Sequence, residues 1–497
     1  MTAAPKRLAS LDQISGEARL PGYDPARHGC AIVHLGAGAF HRAHQAVYTD
    51  DALTAEGGDW RITGVSLRGT DTADAMQPQN GLYTLIERGA AGSRGRVIAS
   101  VDRVIAAARE PAAPLRAMVS PQTRIVTLTV TEKAYGIDRT SMAIDPDHPS
   151  IAPDLSDPRH PRGAIGLLVE SLRLRRDRGV APFTVLCCDN LPENGHLLRA
   201  GVQDFARRID PDLADWMEAE VCFPSSMVDR ITPAATPQTQ DEALRLTGCL
   251  DLAAIETEPF SQWVIEDRFC NGRPAWEAGG ALFVKDVKPY EMMKLRMLNG
   301  AHSMLAYCGF IAGCKHVRDA MAHPHLAALV DRHIAAAGST LPDLAGLDLD
   351  SYRRDLISRF CNPAIAHDTY QIAMDGTQKL PQRICAPAAE TLSRGGDTRP
   401  FAFAVAAWMR YCIGKTDAGT DYPLRDPRQS EIQTALGNAS SPAGICAALS
   451  QLPGLFPASL ADNDSWQDQL TGFLTEMLQH GMDHTLAAAA SDLTQVN

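Results

Sequence analysis

The sequence predicts an α/β protein, with a mostly parallel β-sheet in its N-terminal part and a largely α-helical C-terminal part. Three observations carry this. Short apolar runs alternate with helical patterns over residues 1–286, the order that builds a parallel sheet with helices on both faces. The first apolar run ends in Gly36-Ala37-Gly38 and leads directly into a helical pattern. From about Val287 strand-like runs nearly vanish and helical periodicity takes over, which predicts two domains, 1–286 and 287–497.

Taken in order, residues 31–35 form the first strand. Gly36 and Gly38 then permit a tight turn and close approach of a pyrophosphate to the next helix. A dinucleotide-binding turn is one reading. The motif is a weak signal by itself, because His41 stands where GxGxxG has its third glycine; an ordinary strand-to-helix turn reads the same way. The helical pattern continues to about Leu53. Further strands are expected at Arg61–Leu67, Leu82–Ile86, Ile125–Val130 and Phe183–Cys187, with a helix at Ala164–Arg175. The stretch from about Asp138 to Pro161 is rich in Pro and Asp and reads as a surface excursion. In the second domain, helices are expected over Ala320–Ala337 and Phe401–Cys412.

Composition narrows the function. Hydrophobic residues are 45% and charged residues 21% of 497, which suits a globular protein with a large core. A net charge of −12 argues against nucleic acid or an anionic membrane as partner, though not against an acidic small molecule in a local cationic pocket. No signal peptide is visible and no apolar run reaches the ~18 residues of a membrane helix. The 12 cysteines are scattered without a CxxC, so reduced thiols in a cytoplasmic protein are expected. Cys187 and Cys188 should point to opposite faces of a strand. No metal site is expected: the histidine pairs at 41/44, 323/325 and 480/484 lack a second ligand pair at zinc-like spacing.

The most informative segment is Lys294 to His302, an amine, an amide and an imidazole inside an apolar helical run. At about 100° per residue, Lys294, Asn299 and His302 share an arc of roughly 140°, with Gly300 free to admit a close backbone approach. A buried lysine has its pKa lowered by desolvation and can exchange a proton with an alcohol or carbonyl near neutral pH. A snorkelling lysine, a turn asparagine and a satisfied core histidine would look the same locally.

Four motifs together decide between these readings. Residues 36–45 (from Gly36 to Gln45), 188–195 (from Cys188 to Gly195), 227–233 (from Met227 to Pro233), and Lys294 with Asn299 and His302 occur in this order. Over residues 20 to 480 the chain resembles the mannitol dehydrogenase family of polyol-specific dehydrogenases and reductases. The resemblance implies an N-terminal Rossmann-type dinucleotide-binding domain followed by a largely α-helical domain, and metal-free hydride transfer with NAD(H) or NADP(H). It implies Lys294 as general acid–base, Asn190 and Asn299 as the oxyanion-stabilising pair, His302 as the residue that orients the reacting oxygen, and Glu132 as a proton-relay carboxylate. It further implies cofactor contacts from Gly36, Gly38, Phe40 and Arg42, and substrate contacts from Asp229, Arg230, Gln371 and Lys379.

Departures from the family pattern point to a branch. Lys133 stands where mannitol dehydrogenases typically carry Gly, and Gln371 where they carry arginine. Both versions, and the stretch Glu291–Gly300, look like the fructuronate reductase branch. A uronate carries a terminal carboxylate that needs fixed cations; Lys133, Lys379 and Arg383 are the candidates. The expected reaction is reduction of D-fructuronate to D-mannonate. Action on mannitol, arabinitol or sorbitol is the alternative within the family, and a non-catalytic dinucleotide sensor the alternative outside it. For the cofactor, Asp71 after the second strand favours NAD(H), while Arg68 would tolerate the phosphate of NADP(H). The sequence leaves the oligomeric state open between a monomer and a small homo-oligomer.

Overall fold

The computed structural model describes residues 5–437, 439 and 441–492. The chain divides into two compact units, Met1–Lys288 and Pro289–Asn497.

The first unit is built on a five-stranded, all-parallel sheet. Its strands are β1 (Cys30–Leu35), β2 (Arg61–Ser66), β5 (Val101–Ala106), β6 (Ile125–Leu128) and β9 (Thr184–Cys187), in the order β5-β2-β1-β6-β9. β3 (Tyr83–Gly89) and β4 (Gly92–Ile98) pair antiparallel and belong to a separate three-stranded sheet, completed by the parallel β11 (Ile255–Thr257). The expected strand at Leu82–Ile86 therefore exists, but outside the main sheet. The strand that takes its place is Val101–Ala106, whose Asp102 and Arg103 interrupt the apolar run. β7 (Ile137–Asp138) and β8 (Ala143–Ile144) form a small ribbon, and β10 (Ser226–Asp229), β12 (Gln262–Glu266) and β13 (Leu282–Val284) a third sheet.

Alternation along the strands assigns the two faces. Val126, Leu128, Val185 and Cys187 enter one apolar core, against α6 (Ala164–Asp177) and α7 (Asn194–Ile209). Ile125, Leu186 and Cys188 enter another, with Trp263 and Trp276. Cys187 and Cys188 thus lie on opposite faces, as the strand period of two requires.

Strand order reverses between β1 and β6, since β2 lies on the other side of β1. The crevice at the carboxyl ends of such strands is where open α/β sheets take ligands. The helix after the glycine turn is broken: α1 (Ala39–Ala43) stops at His44, whose φ of −124° and ψ of −89° are not helical, and α2 (Gln45–Glu56) resumes beyond it.

The second unit is helical, with no ladder of two or more strands among the described residues. Helix Arg399–Cys412 is buried along its length after Arg399. The expected helix over Ala320–Ala337 is two helices, Val317–Met321 and Pro324–Gly338, divided where His323 caps the second and Pro324 occupies its first position. Two stretches wind as π-helices, Lys294–Gly300 and Pro381–Cys385.

Candidate active site

In the first unit, the crevice is a cleft of about 760 Å³ lined by Gly36, Gly38, Ser66, Arg68, Thr129 and Arg162, among others. Gly36 has φ +98°, and a Cβ there would lie 2.2 Å from the carbonyl oxygen of Thr129. Only glycine fits this turn. The Thr129 hydroxyl donates to the Gly36 carbonyl at 2.9 Å and lies 2.8 Å from His34 Nε2. His34 is buried in the sheet; desolvation drives its pKa down to about 3, so it stays neutral beneath the loop. Beside Gly38, a Cβ would meet only Gly36 O, at 3.8 Å, which leaves open space for a ligand against the main chain. The cradle therefore fits a dinucleotide's phosphates.

Of the expected cofactor residues, Gly36, Gly38 and Arg68 line this cleft. Asp71 begins α3 (Asp71–Met76), next to the lining residue Thr72. Phe40 and Arg42 lie elsewhere. Phe40 packs against the core and stacks on His44 at 5.1 Å. Arg42 donates to the Ala253 carbonyl and sits over the Tyr83 ring. Neither side chain lines the cleft, because the break at His44 and the packing of α1 on β11 turn them inward. The surface excursion is a correction of another kind: Pro149, Ser150, Pro153, Asp154, His160 and Arg162 from that segment form part of the cleft wall.

At the carboxyl ends of β6 and β9, Asp189 joins two loops. Its carboxylate accepts from Val130 N and Thr131 N at 3.0 Å each and from the Tyr135 hydroxyl at 2.6 Å. A simple Asx turn would have used this side chain locally; here it fixes the neighbouring loop instead. Burial raises its pKa, opposed by those donors. The result brings Glu132 and Asn190, which follow Thr131 and Asp189, into one loop cluster. Glu132 pairs with Arg139 at 3.2 Å, and Lys133 beside it is exposed. Asp229 ends β10 and is buried. The Arg230 guanidinium donates to the carbonyls of Ala43 and Glu258 and to the Glu87 carboxylate at 2.7 Å, all within the first unit's framework, so it holds that framework together.

In the second unit, Lys294 opens the first π-helix and is only 9% exposed. Arg296 anchors this turn through Glu390 at 2.6 and 2.8 Å and through Thr340 Oγ1 at 2.9 Å. A π-helical turn disturbs the i→i−4 ladder and is frequent at functional sites. The Asn299 carbonyl accepts from Ser303 Oγ at 3.0 Å and from Arg383 Nη1 at 3.4 Å, and Arg383 Nη1 also reaches Ser303 Oγ at 3.1 Å. Arg383 belongs to the second π-helix, so the two irregular turns are tied together.

His302 stacks on Phe360 at 5.0 Å and meets His367 edge-on at 4.8 Å. Desolvation lowers its pKa well below the ordinary value, and His367, Arg383, Arg359 and Lys379 push it the same way. It is therefore a neutral imidazole in cationic surroundings. Lys379 donates to the carbonyls of Met374 at 2.5 Å and Ile372 at 3.2 Å; burial lowers its pKa as well. Gln371, on helix Thr369–Ala373, is exposed. Phe360 and His367 were missed in the sequence, where no periodicity connects residues 360 and 367 with 302.

The comparisons with known proteins decide the family. The mannitol dehydrogenase Rossmann domain model matches residues 30–278, and the mannitol dehydrogenase C-terminal domain model matches residues 286–478. The chain belongs to the mannitol dehydrogenase family. Relatives include the D-mannonate oxidoreductase of Escherichia coli (strain K12), 44% identical over 94% of this chain and 97% of its own length. The mannitol 2-dehydrogenase of Cereibacter sphaeroides is 39% identical over 94% and 97%. A solved ternary complex of Pseudomonas fluorescens mannitol 2-dehydrogenase with NAD and D-mannitol matches with a TM-score of 0.80 and 35% identity, covering 99% of this chain and 100% of that one. As in its family, the chain is an oxidoreductase with a Rossmann domain and a helical C-terminal domain. Among the described residues no helix is long and apolar enough to cross a membrane, and no three His, Cys, Asp or Glu gather as metal ligands.

Proposed function

We propose that the protein reduces the C5 keto group of D-fructuronate to give D-mannonate, with NADH as the reductant. The observation that carries the uronate reading is the charge in the helical unit. Lys379 and Arg383 lie about the neutral His302, and neither is paired with a carboxylate among the described residues. Arg383 uses Nη1 on the protein; Nε and Nη2 make no hydrogen bond among those residues. Two half-buried cations with no carboxylate in ion-pair contact among the described residues, Asp375 and Asp426 acting on Lys379 only from farther off, favour a substrate that brings an anion. The 44% identity to an enzyme named D-mannonate oxidoreductase, and Lys133 and Gln371 in place of the polyol enzymes' residues, agree with it.

The cofactor supplies the hydride to the keto carbon. In this reading Lys294 enters as the ammonium, gives its proton to the carbonyl oxygen as charge develops there, and leaves as the amine. Asn190 and Asn299 donate to that oxygen; one such donor is worth about 3 kcal/mol in rate. As neutral amides they add no charge that would hold the lysine's proton in place. His302, kept neutral, accepts or donates one hydrogen bond to fix the oxygen's direction. Glu132 returns the proton to Lys294 between turnovers, and Asp229 binds a substrate hydroxyl. Asp71 selects NAD(H) through the adenosine ribose, with NADP(H) accepted more weakly.

Parallel measurement of NADH oxidation with fructuronate, tagaturonate and fructose tests the assignment. Fructuronate should give the highest kcat/KM. Preference for fructose would favour the second reading, a polyol dehydrogenase, which the 39% identical mannitol 2-dehydrogenase supports. NADH binding without turnover of any of the three would favour a sensor.

A further inference from the structure

The cleft of the first unit must hold a pyrophosphate if the dinucleotide reading above is right, and its glycine loop is poor in positive charge. Helix α1 runs only five residues before the break at His44, so few aligned peptide dipoles stand behind the loop. The loop's own arginine, Arg42, is turned into the protein. Compensation has to come from elsewhere on the cleft wall.

Among the residues lining that cleft, the cationic or ionisable-to-cation side chains are Arg68, His160 and Arg162. His160 is taken by Asp157, 3.0 Å away. Arg68 follows β2, on the side where the ribose of the adenosine is expected. Arg162 stands at the start of α6, and its side chain makes no hydrogen bond or ion pair among the described residues. Its main chain, by contrast, is fixed. The buried Asp154 carboxylate accepts from Arg162 N and Gly163 N at 2.8 Å each. A Cβ on Gly163 would lie 2.4 Å from Ser150 O, and one on Gly166 2.3 Å from Asp154 Oδ2. The excursion and the first turn of α6 are thus packed too closely to shift, and they present one unpaired guanidinium to the cleft.

We infer that Arg162 is a cofactor-binding residue that neutralises the pyrophosphate of the dinucleotide. The carboxylates of Asp154 and Asp157 on the same wall make it more necessary, since they would otherwise repel that anion.

The test is direct binding to the full-length enzyme, followed by quenching of protein fluorescence, for NADH, NADPH and ADP-ribose. Arg162→Met should raise Kd for NADH and ADP-ribose about tenfold or more, with Arg162→Lys between it and wild type and Arg162→Glu beyond it. The dependence of Kd on salt should flatten in Arg162→Met. The ratio of NADPH to NADH affinity should not change. The unfolding midpoint of each apo variant checks the fold. A Kd for NADH and ADP-ribose within twofold of wild type in Arg162→Met would overturn the inference. So would a loss confined to NADPH, which would place the arginine at the 2′-phosphate. If wild type itself binds neither NADH nor ADP-ribose, the dinucleotide reading falls and takes this one with it.

Discussion

Gly300→Ala sets two opposite effects against each other, and the structure decides between them. Gly300 has ordinary helical angles, φ −64° and ψ −53°, so alanine should stabilise the turn by about 1 kcal/mol through propensity alone. Against this, the new Cβ would lie 2.9 Å from the carbonyl oxygen of Arg383 and 3.2 Å from His333 Nε2. Neither neighbour can yield cheaply. Pro387 has no N–H to give the Arg383 carbonyl in regular helical register, and this stretch winds as a π-helix with that main-chain oxygen against Gly300. His333 is fully buried, with Nδ1 on the Pro400 carbonyl at 3.2 Å. Overpacking of this kind costs about 1–3 kcal/mol. The net expectation is a loss of about 1 kcal/mol, or roughly 2–4 °C in Tm for a unit of this size. Function should suffer more. Relief requires the two π-helical turns to part by some tenths of an ångström, and they carry Lys294 and Asn299 on one side and Arg383 on the other. Misplacement of catalytic groups by 1 Å costs up to about 10² in rate, so kcat should fall about tenfold while Kd for NADH stays unchanged. Calorimetry and steady-state kinetics read both. A Tm at or above wild type with kcat intact would show that this contact does not set the spacing of the turns.

Other expectations follow from the same residues. Lys294→Met should lower kcat by about 10²–10⁴ and leave NADH binding in place; intact turnover would remove the lysine from the proton path. Lys133→Ala should reduce kcat/KM for fructuronate far more than for a neutral ketose, and equal losses would exclude Lys133 as a carboxylate reader. Stability should fall in acid within both units. His34, driven to about 3, and His333, driven to about 4, are both held neutral chiefly by burial. Their folded values lie below the ordinary 6.5, so the unfolded chain binds more protons between the two. The stability they protect is complete above pH 6.5 and is lost as pH falls to about 4 for His333 and about 3 for His34, at about 1.4 kcal/mol per unit for each histidine. Between pH 7.5 and 5 each of these histidines should lower the urea-derived stability of its unit by about 2 kcal/mol, with His41 and His302, lowered the same way by burial, adding to it, and the drop in the first unit should be smaller in His34→Asn; a flat profile would contradict the assignment.

The parts of the fold that local pattern determines could be read from the chain. β1 and the glycine turn are one such part, because a buried parallel strand must be apolar and Gly36 alone tolerates φ +98°. The change to helices near residue 287 is another, since periodicity carries it. Strand partnership is different. Tyr83–Gly89 reads as well as any strand of the main sheet, yet its hydrogen bonds go to β4 and β11. Val101–Ala106 joins the main sheet despite two charged residues, because Asp102 meets Arg61 at 2.7 Å at the strand's start. Pairing is settled by long-range packing that a window of ten residues does not contain.

The chemistry-bearing side chains follow the same division. Lys294, Asn299 and His302 stand close in sequence, so one segment could be read as carrying all three, but the 100° geometry assumed for them does not hold: the segment winds as a π-helix through Gly300, which widens the turn. Arg42 shows the converse. It lies inside the glycine motif, and the family resemblance implied a ligand contact, but a guanidinium will satisfy its donors wherever buried carbonyls are nearest, and here that is the Ala253 carbonyl, 211 residues away. Arg162 sits in a stretch whose prolines and aspartates announce only a loop. What gives it meaning is Asp154, whose buried carboxylate fixes the main chain of Arg162 while facing the same cleft. A carboxylate so placed repels the anion that the glycine turn is shaped to receive, so the charge that balances it has to be found within that same wall.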